Sequence, residues 1–287
     1  MNNLITHEIS DEVIALIHKD VTRTLPYHIY FQKEYSEGQN DLFVILKCLS
    51  LKEESLGYVQ GLGFMAAILL TYMDRNDSFN VMLKLLNGNK YKIKNLYTNY
   101  GVDFYGLKIS YYVLHRLFEK YLPKLYKHFM QEELHATMFA TSWFLTIFSQ
   151  EVPIQLTLRV WDIFFIEGKK ILYRVALAIL KLNEKALLQE NIGCVKSLKR
   201  AFFDTNLLDR KPQRSGSINA KVIKEFEEKH KVDERIDTII ETAHKFKFPG
   251  KLIDDLEREA VTNPRPELVR ICDLEPVIQA YKENKGR

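Results

Sequence analysis

Four side chains near the N-terminus are spaced so that a helix would bring them onto one face. Ile17, Asp20 and Arg23 follow one another at intervals of three residues, and Thr24 comes directly after. Residues three or four apart are neighbours on a helix surface, so the Asp20 carboxylate can hold the stem of Arg23. A guanidinium is always protonated and offers a planar fork of hydrogen-bond donors. The alternative is an ordinary surface ion pair of little energetic value.

A second polar group stands at the start of a strongly apolar segment. Residues 55–70, SLGYVQGLGFMAAILL, place Tyr58 and Gln60 in a glycine-flanked turn before a run that can form a buried helix. The amide of Gln60 has both an acceptor and donors, and it adds no charge. The alternative is a helix-capping turn with a hydrogen-bonded tyrosine.

Other chemical motifs are weak or missing in this sequence. Residues 61–66, GLGFMA, fit a glycine-rich phosphate fingerprint, but the polar segment before them does not suit the buried strand that this motif requires. The eight histidines form no HExxH pair and no cluster with metal-ligand spacing. His115, His128 and His135 are expected at the surface or between helices. Neither a G-x-S-x-G elbow nor a P-loop lysine is found. No metal or cofactor site is therefore expected.

The two polar stretches together resemble the TBC-domain GTPase-activating proteins of Rab-type small GTPases. That family carries an IxxDxxRT motif, which supplies an arginine finger, and a YxQ motif, which supplies a glutamine finger. The first motif is matched by Ile17, Asp20, Arg23 and Thr24, and the second by Tyr58, Val59 and Gln60.

A later block extends the resemblance. Thr141 to Lys181 contains a Trp-Phe pair, a proline before the next helix, an R-x-W-D element at Arg159 to Asp162 and a glycine turn at Gly168. The resemblance covers about residues 11–205. Arg159 and Asp162 are expected to form a partly buried, structural charge pair beneath the site, and Trp161 and Trp143 are expected in the core.

The resemblance implies an all-α fold, a V-shaped multi-helix TBC domain, and a role in vesicle trafficking. Arg23 and Gln60 would be the catalytic residues, inserted into a partner GTPase. The supporting residues would be Asp20, Thr24, Tyr58 and Gly61. No independent reaction is expected of this chain, because it would complete the active site of its partner, and the partner would carry GTP and magnesium.

The expected partner is a Rab-family GTPase in its GTP form. The alternative is a scaffold that keeps the fold but does not stimulate hydrolysis, with residues 220–287 contacting a larger assembly. The chain begins almost at the first motif, where the family usually has a longer region containing a tryptophan. The domain is therefore expected to be short at its N-terminus.

Composition favours a protein with protein partners. The 287 residues are 46% hydrophobic, and 41 basic and 37 acidic residues give a net charge of +4 without a basic block typical of nucleic-acid binding. Cys48, Cys194 and Cys272 are far apart and odd in number, which suits a reducing compartment. The longest apolar run is too short for a membrane span, and no secretory signal is seen. The expected location is cytoplasmic, with attachment to membranes or assemblies through partners.

Helical periodicity dominates the chain, and strands have no obvious place in it. Ser10 is expected to cap a helix that ends near Arg23, because Pro26 biases Leu25 away from helical angles. Further helices are expected over residues 40–52, 62–73, 77–87, 104–120 and 134–150. Pro153 should begin the next helix, Gly168 should end it, and residues 169–188 should form another.

Composition changes after residue 209. Residues 210–219 are polar, with proline, glycine and serine, and are expected to be a linker between a TBC domain at 1–209 and a charged helical extension at 220–287. A thin apolar stripe of Val222, Phe226, Ile236, Ile239 and Ile240 is expected to pack against the same chain.

Overall fold

The architecture comes from a computed structural model, which describes residues 1–88, 90–91, 93–150, 152–189 and 233–285. Almost all of its regular structure is helical, so the expected all-α class is confirmed. The first part of the chain forms helices α1 (Asn2–Ile5), α2 (Asp11–Arg23), α3 (Glu37–Lys52), α4 (Leu62–Leu70), α5 (Arg75–Asn87) and α6 (Lys94–Tyr97).

The rest of the body consists of longer and shorter helices in alternation. They are α7 (Tyr105–Tyr121), α8 (Pro123–Gln131), α9 (Ala136–Phe139), α10 (Thr141–Leu145), α11 (Ile154–Glu167), α12 (Lys170–Leu182) and α13 (Glu184–Leu187). The C-terminal group comprises α14 (residues 233–245), α15 (Gly250–Thr262), α16 (Pro266–Ile271) and α17 (Glu275–Lys285).

Local sequence signals set the ends of several helices. The side chains of Ser10, Ser36 and Asp74 each accept a hydrogen bond from a first-turn backbone N–H, which satisfies donors that a helix start leaves unpaired. Gly88 ends α5 and Gly168 ends α11, as expected. Gly168 has φ +69°, a conformation that favours glycine.

Helix α4 is buried on every side. All residues from Leu62 to Leu70 are buried, because α3 and α5 pack against it. An apolar helix with no solvent-facing stripe is typical of the centre of a larger core. The residues just before α4 are therefore held rigidly at their C-terminal side.

The region expected to be one helix over residues 134–150 is divided, so this prediction was wrong. Helices α9 and α10 are short, and Ile147 and Phe148 then adopt φ of +50° and +58°. The indole N–H of Trp161 is shared between the Ile147 carbonyl oxygen (3.1 Å) and Ser149 Oγ (3.2 Å), which fixes this turn. Trp161 and Trp143 both lie in the core, as expected.

A small hairpin was not expected from the sequence. Strand β1 (Thr98–Asn99) pairs antiparallel with β2 (Val102–Asp103), and Tyr100 and Gly101 between them both have positive φ. Two consecutive residues with positive φ suit a tight hairpin turn. Two-residue strands are too short to give a detectable alternation in sequence.

The C-terminal helices pack on the body of the same chain. Ile236, Ile239 and Ile240 are buried, which confirms that this part of the apolar stripe is intramolecular core. Helix α15 lies against α7, where Glu259 accepts hydrogen bonds from Tyr112 and Arg116. The expected linker at 210–219, together with Val222 and Phe226, lies outside the described residues.

Arg159 and Asp162 do not form the expected partly buried pair, so this prediction was wrong. Both side chains are exposed, and the Arg159 guanidinium instead lies 3.0 Å from the carboxylate of Asp237 in α14. The helical spacing of three residues made the pairing possible, but a partner from another element lies closer. This contact between two exposed side chains adds little to stability.

One histidine and two cysteines occupy buried, structural positions. His115 is buried between helices, and its Nε2 accepts a hydrogen bond from the Ala136 backbone N–H at 3.2 Å. Cys48 and Cys272 are buried free thiols, and Cys194 lies outside the described residues. Within the described ranges, no helix is both long and apolar enough to cross a membrane.

Candidate functional site

The end of α2 presents Arg23 at the surface. Ile17 and Val21 are buried and anchor the helix, and Arg23 is its last residue. Leu25 then adopts φ +45° before Pro26, so the chain turns away immediately after the arginine. A left-handed leucine is strained, and such strain is typical of sites whose surroundings fix the backbone.

Asp20 joins the two polar stretches of the sequence. One carboxylate oxygen lies 2.5 Å from a terminal nitrogen of Arg23, and the other accepts a hydrogen bond from the Tyr58 hydroxyl. The Asp20 side chain is only 6% exposed, whereas that of Arg23 is 37% exposed. A carboxylate that is buried in this way is stable only because both oxygens have donors.

The Tyr58 hydroxyl remains a donor throughout the physiological pH range. Burial, followed by the hydrogen bond to Asp20 and its negative charge, raises the pKa of Tyr58 well above its usual value. Tyr58 is therefore a neutral donor that holds the Asp20 carboxylate from the side opposite Arg23.

Thr24 and Gly63 bring the two stretches into contact through small groups. The buried Thr24 hydroxyl donates to the Asp20 backbone oxygen at 2.7 Å. A Cβ on Gly63 would lie 3.2 Å from that hydroxyl oxygen, so glycine permits the close approach of α4 to the end of α2.

The turn before α4 presents Gln60 outward. Gly61 has φ +105°, which L side chains rarely adopt, and it lies at the start of the fully buried α4. The residue just before this glycine, Gln60, is exposed. The core thus fixes the turn from one side, and the amide extends into solvent on the other.

The side chains of Gln60 and Arg23 meet. With the amide oriented so that its oxygen faces the guanidinium, that oxygen lies 3.0 Å from one terminal nitrogen of Arg23 and 2.5 Å from the other. This orientation is assigned because it matches an acceptor to donors. The Nε of Arg23 is shielded from solvent and has no hydrogen-bond partner among the described residues.

A cleft of about 460 Å³ opens beside Gln60. The cleft is lined by residues 58–61 and by residues of α9, α10 and the segment after them. Phe104 and Met138 line the cleft and are 40% and 47% exposed. The polar pair therefore stands at the edge of a partly apolar groove, a combination that is common in binding sites.

The arrangement combines a fixed cation with a neutral amide. A guanidinium can bind the oxygens of an anionic group, and an adjacent amide can accept from a water molecule and donate to the same anion. No group of three His, Cys, Asp or Glu side chains suited to a metal comes together in the described part of the chain.

The expected site residues fall into one cluster and one remote element. Asp20, Arg23, Thr24, Tyr58, Gln60 and Gly61 come together as described, whereas Arg159, Trp161 and Asp162 belong to α11 and its contacts elsewhere. Sequence reasoning missed Phe104 and Met138, because no local motif marks them. Thr141 and Ser142 also line the cleft. They lie in the later block, Thr141 to Lys181, that extends the family resemblance, but nothing in that block indicated that they would lie beside Gln60.

Comparison with known proteins gives consistent matches. The Rab-GTPase-TBC domain family matches residues 2–188. The human ecotropic viral integration site 5 protein homolog is 31% identical over 254 residues, which cover 88% of this chain and 28% of that protein. TBC1 domain family member 1 of Bos taurus is 37% identical over 177 residues, which cover 61% of this chain and 15% of that protein. The chain thus spans less than a third of the length of these relatives.

Solved structures match over most of the chain. The TBC domain of a Chlamydomonas flagellar RabGAP aligns with a TM-score of 0.60 and 25% identity, covering 86% of this chain and 71% of that one. The Ypt/Rab-GAP domain of Gyp1p aligns with a TM-score of 0.58 and 18% identity, covering 86% and 79%, and supports the fold alone. A sequence match that covers 88% of the 287 residues, about 253 of them, cannot end before about residue 253, so likeness to a relative continues into the C-terminal helices.

Proposed function

The chain belongs to the Rab-GTPase-TBC domain family, and on this premise we propose that it accelerates GTP hydrolysis by a Rab-family GTPase, using Arg23 and Gln60. The observation that carries the proposal is the contact between the Arg23 guanidinium and the Gln60 amide at one partly exposed point. Two residues 37 positions apart in sequence, from different elements, can thereby reach the same phosphate.

Arg23 would stabilise the charge that develops on the phosphoryl group. A small GTPase alone hydrolyses its nucleotide slowly, and an arginine supplied in trans raises the rate about 10³- to 10⁵-fold. The guanidinium can contact a γ-phosphate oxygen and the bridging oxygen at once, which a lysine cannot match. The buried Asp20 would fix the direction of the side chain and lower the entropy lost on binding.

Gln60 would orient the attacking water. Its carbonyl oxygen can accept from the water while its NH₂ group donates to the phosphate. In the free protein the amide oxygen is occupied by Arg23. A phosphate that takes over the guanidinium donors would release this oxygen, so that both side chains become available in one step.

The supporting residues would act through position. Tyr58 and Asp20 hold Arg23, Gly61 sets the turn of Gln60, and Thr24 joins the end of α2 to the start of α4. None of them needs to touch the nucleotide. The nucleotide and magnesium would be bound by the partner GTPase, and this chain would carry out no reaction of its own.

The test is a GTP-hydrolysis assay over a panel of Rab-family GTPases loaded with GTP. We expect stimulation of at least one member by the wild-type chain, and loss of that stimulation with Arg23→Ala. If no member of a broad panel responds while binding to a GTP-form Rab is measurable, the non-catalytic scaffold becomes the better description. Stimulation that survives Arg23→Ala would exclude the arginine from the mechanism.

A further inference from the structure

A cluster of lysines lies on two segments that are remote in sequence. Lys120 and Lys124 lie at the junction of α7 and α8, and Lys245, Lys247 and Lys251 lie between the end of α14 and the start of α15. All five lysines are exposed, and we call this group the lysine patch. Neither residues 120–127 nor residues 242–251 contain an aspartate or glutamate.

An aromatic contact brings the two segments together. The ring of Tyr121 lies 5.6 Å from that of Phe246 and 5.7 Å from that of Phe248, and its hydroxyl donates to the Lys247 backbone oxygen at 3.3 Å. Phe246 and Phe248 are buried, so Lys245 and Lys247, which alternate with them, are on the outer side. Arg174 also binds this segment, because its Nε donates a hydrogen bond to the Phe246 backbone oxygen at 3.0 Å.

The positive charge of the lysine patch is not neutralised within the described part of the chain. None of the five ammonium groups lies within ion-pair distance of a described carboxylate, although many other cations of this protein are paired. Glu119, the acidic residue next to Lys120, is already engaged by Arg265 at 2.9 Å. Glu241 and Asp254 flank the segment 242–251 from outside.

Fold stability explains only part of this arrangement. Lys120 and Lys245 lie at the C-terminal ends of helices, where a cation is favourable. Lys124 and Lys251 lie in the first turns of α8 and α15, where a cation opposes the helix dipole, and neither first turn contains an acidic residue. Lys247 lies outside any helix. A partner that supplies negative charge would account for these three positions.

We propose that the lysine patch binds the anionic surface of a lipid membrane. The patch contains lysines without arginine, and lysine acts as a flexible point charge, whereas arginine suits bidentate recognition of one phosphate or carboxylate. Flexible, exposed point charges suit a diffuse negative potential such as that of an anionic leaflet. Single-stranded nucleic acid fits less well, because it needs exposed aromatic platforms, and Phe246 and Phe248 are buried.

This contact is independent of the proposed GTPase activation. The residues of the lysine patch take no part in the contacts of Asp20, Arg23, Tyr58 and Gln60. Binding to vesicles is measured without a GTPase, so failure of one proposal is distinguishable from failure of the other.

The test compares binding of the chain to two kinds of vesicle. Neutral vesicles contain phosphatidylcholine alone, and anionic vesicles contain phosphatidylcholine with about 30 mol% phosphatidylserine. The patch variant combines Lys124→Gln, Lys247→Gln and Lys251→Gln, the three positions that fold stability does not explain. Each lysine near an anionic surface contributes about fivefold to the partition coefficient, equivalent to about 1 kcal/mol. We therefore expect the variant to bind the anionic vesicles about 100-fold more weakly.

A control variant carries the same change in net charge elsewhere. Lys52→Gln, Lys84→Gln and Lys185→Gln remove three exposed lysines outside the patch, and this variant should retain binding to within about threefold. Wild-type binding should be absent from neutral vesicles and should fall steeply as salt is raised. Both variants should stimulate a soluble GTPase as the wild type does.

Three outcomes would overturn the proposal. They are absence of wild-type binding to anionic vesicles, equal loss in the two variants, and retention of vesicle binding by the patch variant. A further experiment measures binding of the chain to polyglutamate and to a single-stranded oligonucleotide in place of vesicles. If either is bound more tightly than the anionic vesicles in a patch-dependent way, the surface is a protein or nucleic-acid site instead.

Discussion

The amide oxygen of Gln60 lies 2.5 Å from a terminal nitrogen of Arg23, so the two groups proposed to act on a partner contact each other in the free protein. A carboxylate oxygen of Asp20 lies 2.5 Å from the same terminal nitrogen. Arg23 is therefore positioned before any partner arrives. Since both contacts use its donors, a bound phosphate must compete with Gln60 but can leave the contact with Asp20 intact.

Arg23→Lys is expected to separate catalysis from stability. The lysine keeps a positive charge near the buried Asp20, so the free energy of unfolding should change by less than about 1 kcal/mol. The planar fork is lost, and stimulated GTP hydrolysis should fall about 10³-fold or more. Single-turnover hydrolysis and urea unfolding measure the two effects. A stability loss above about 2 kcal/mol with normal stimulation would identify Arg23 as a structural residue.

Gln60→Glu should be more damaging to stimulation than Gln60→Ala. A carboxylate at this exposed position would form an ion pair with Arg23 and repel the phosphate, whereas alanine leaves the guanidinium free. Both variants should fold normally, because residue 60 is exposed. The comparison is made by GTP-hydrolysis rates of the GTPase at saturating concentrations of the chain. Equal rates for wild type and Gln60→Ala would remove the amide from the mechanism.

Tyr58→Phe tests whether the hydroxyl positions Arg23 through Asp20. Loss of a hydrogen bond to a buried carboxylate should cost about 1.5–3 kcal/mol of stability. The rate constant for stimulated hydrolysis should also fall about 10- to 100-fold, because the guanidinium is less well oriented. Rate constants and unfolding curves are measured for the same preparation.

The matched control for this prediction is Tyr91→Phe. The Tyr91 hydroxyl donates to the Phe165 backbone oxygen at 3.0 Å, in contacts unrelated to Arg23 and Gln60. It should lose about 0.5–1.5 kcal/mol of stability and retain full stimulation. If both tyrosine variants reduce stimulation in proportion to their stability loss, Tyr58 has only a structural role.

The sequence allowed prediction of features that depend on neighbouring residues. Ser10 and Pro26 bracket α2 locally, and the glycine after Gln60 marks the turn before α4, so these boundaries follow from backbone chemistry. The break after α10 depends instead on Ile147 and Phe148 adopting positive φ, with Trp161 bonding the turn from a later helix. Apolar periodicity does not reveal such a break.

Contacts between residues far apart in the chain could not be predicted from the sequence. Tyr58 and Asp20 are 38 residues apart, and only the packing of α4 near the end of α2 brings them together. Arg159 was expected to pair with Asp162 from its spacing, but Asp237 provides its partner from a helix 78 residues away. Spacing within a helix limits which residues can meet, and tertiary packing then decides which do.

Gly61→Ala should disturb the presentation of Gln60. At φ +105° an alanine is strained by about 1–3 kcal/mol, and its Cβ would also lie 3.4 Å from the Thr146 Cγ2 atom. Relief of this strain would rotate the turn and reduce stimulated hydrolysis. Gly57→Ala is the control, because φ there is +64° and no atom lies within 4 Å of the added Cβ. The control should lose stability but keep its activity, and a loss of activity in both variants would contradict a specific role for Gly61.

His115 should make the fold sensitive to mild acid. Burial, followed by the nearby His135, lowers the pKa of His115 from 6.5 to about 4, so folding favours the neutral ring, whose Nε2 accepts the Ala136 N–H. The unfolded chain therefore binds more protons between pH 6.5 and 4, and stability falls as pH decreases through that window.

His115→Gln removes the titration while keeping an acceptor for the Ala136 N–H. Between pH 7.5 and pH 5, the variant should lose about 2 kcal/mol less unfolding free energy than the wild type. Urea unfolding at the two pH values measures the difference. His244→Gln, the same substitution at an exposed histidine, serves as the control for the change of side chain itself. An identical pH dependence in wild type and His115→Gln would show that the buried ring is not the group that titrates, because only a group whose pKa changes on folding can couple pH to stability.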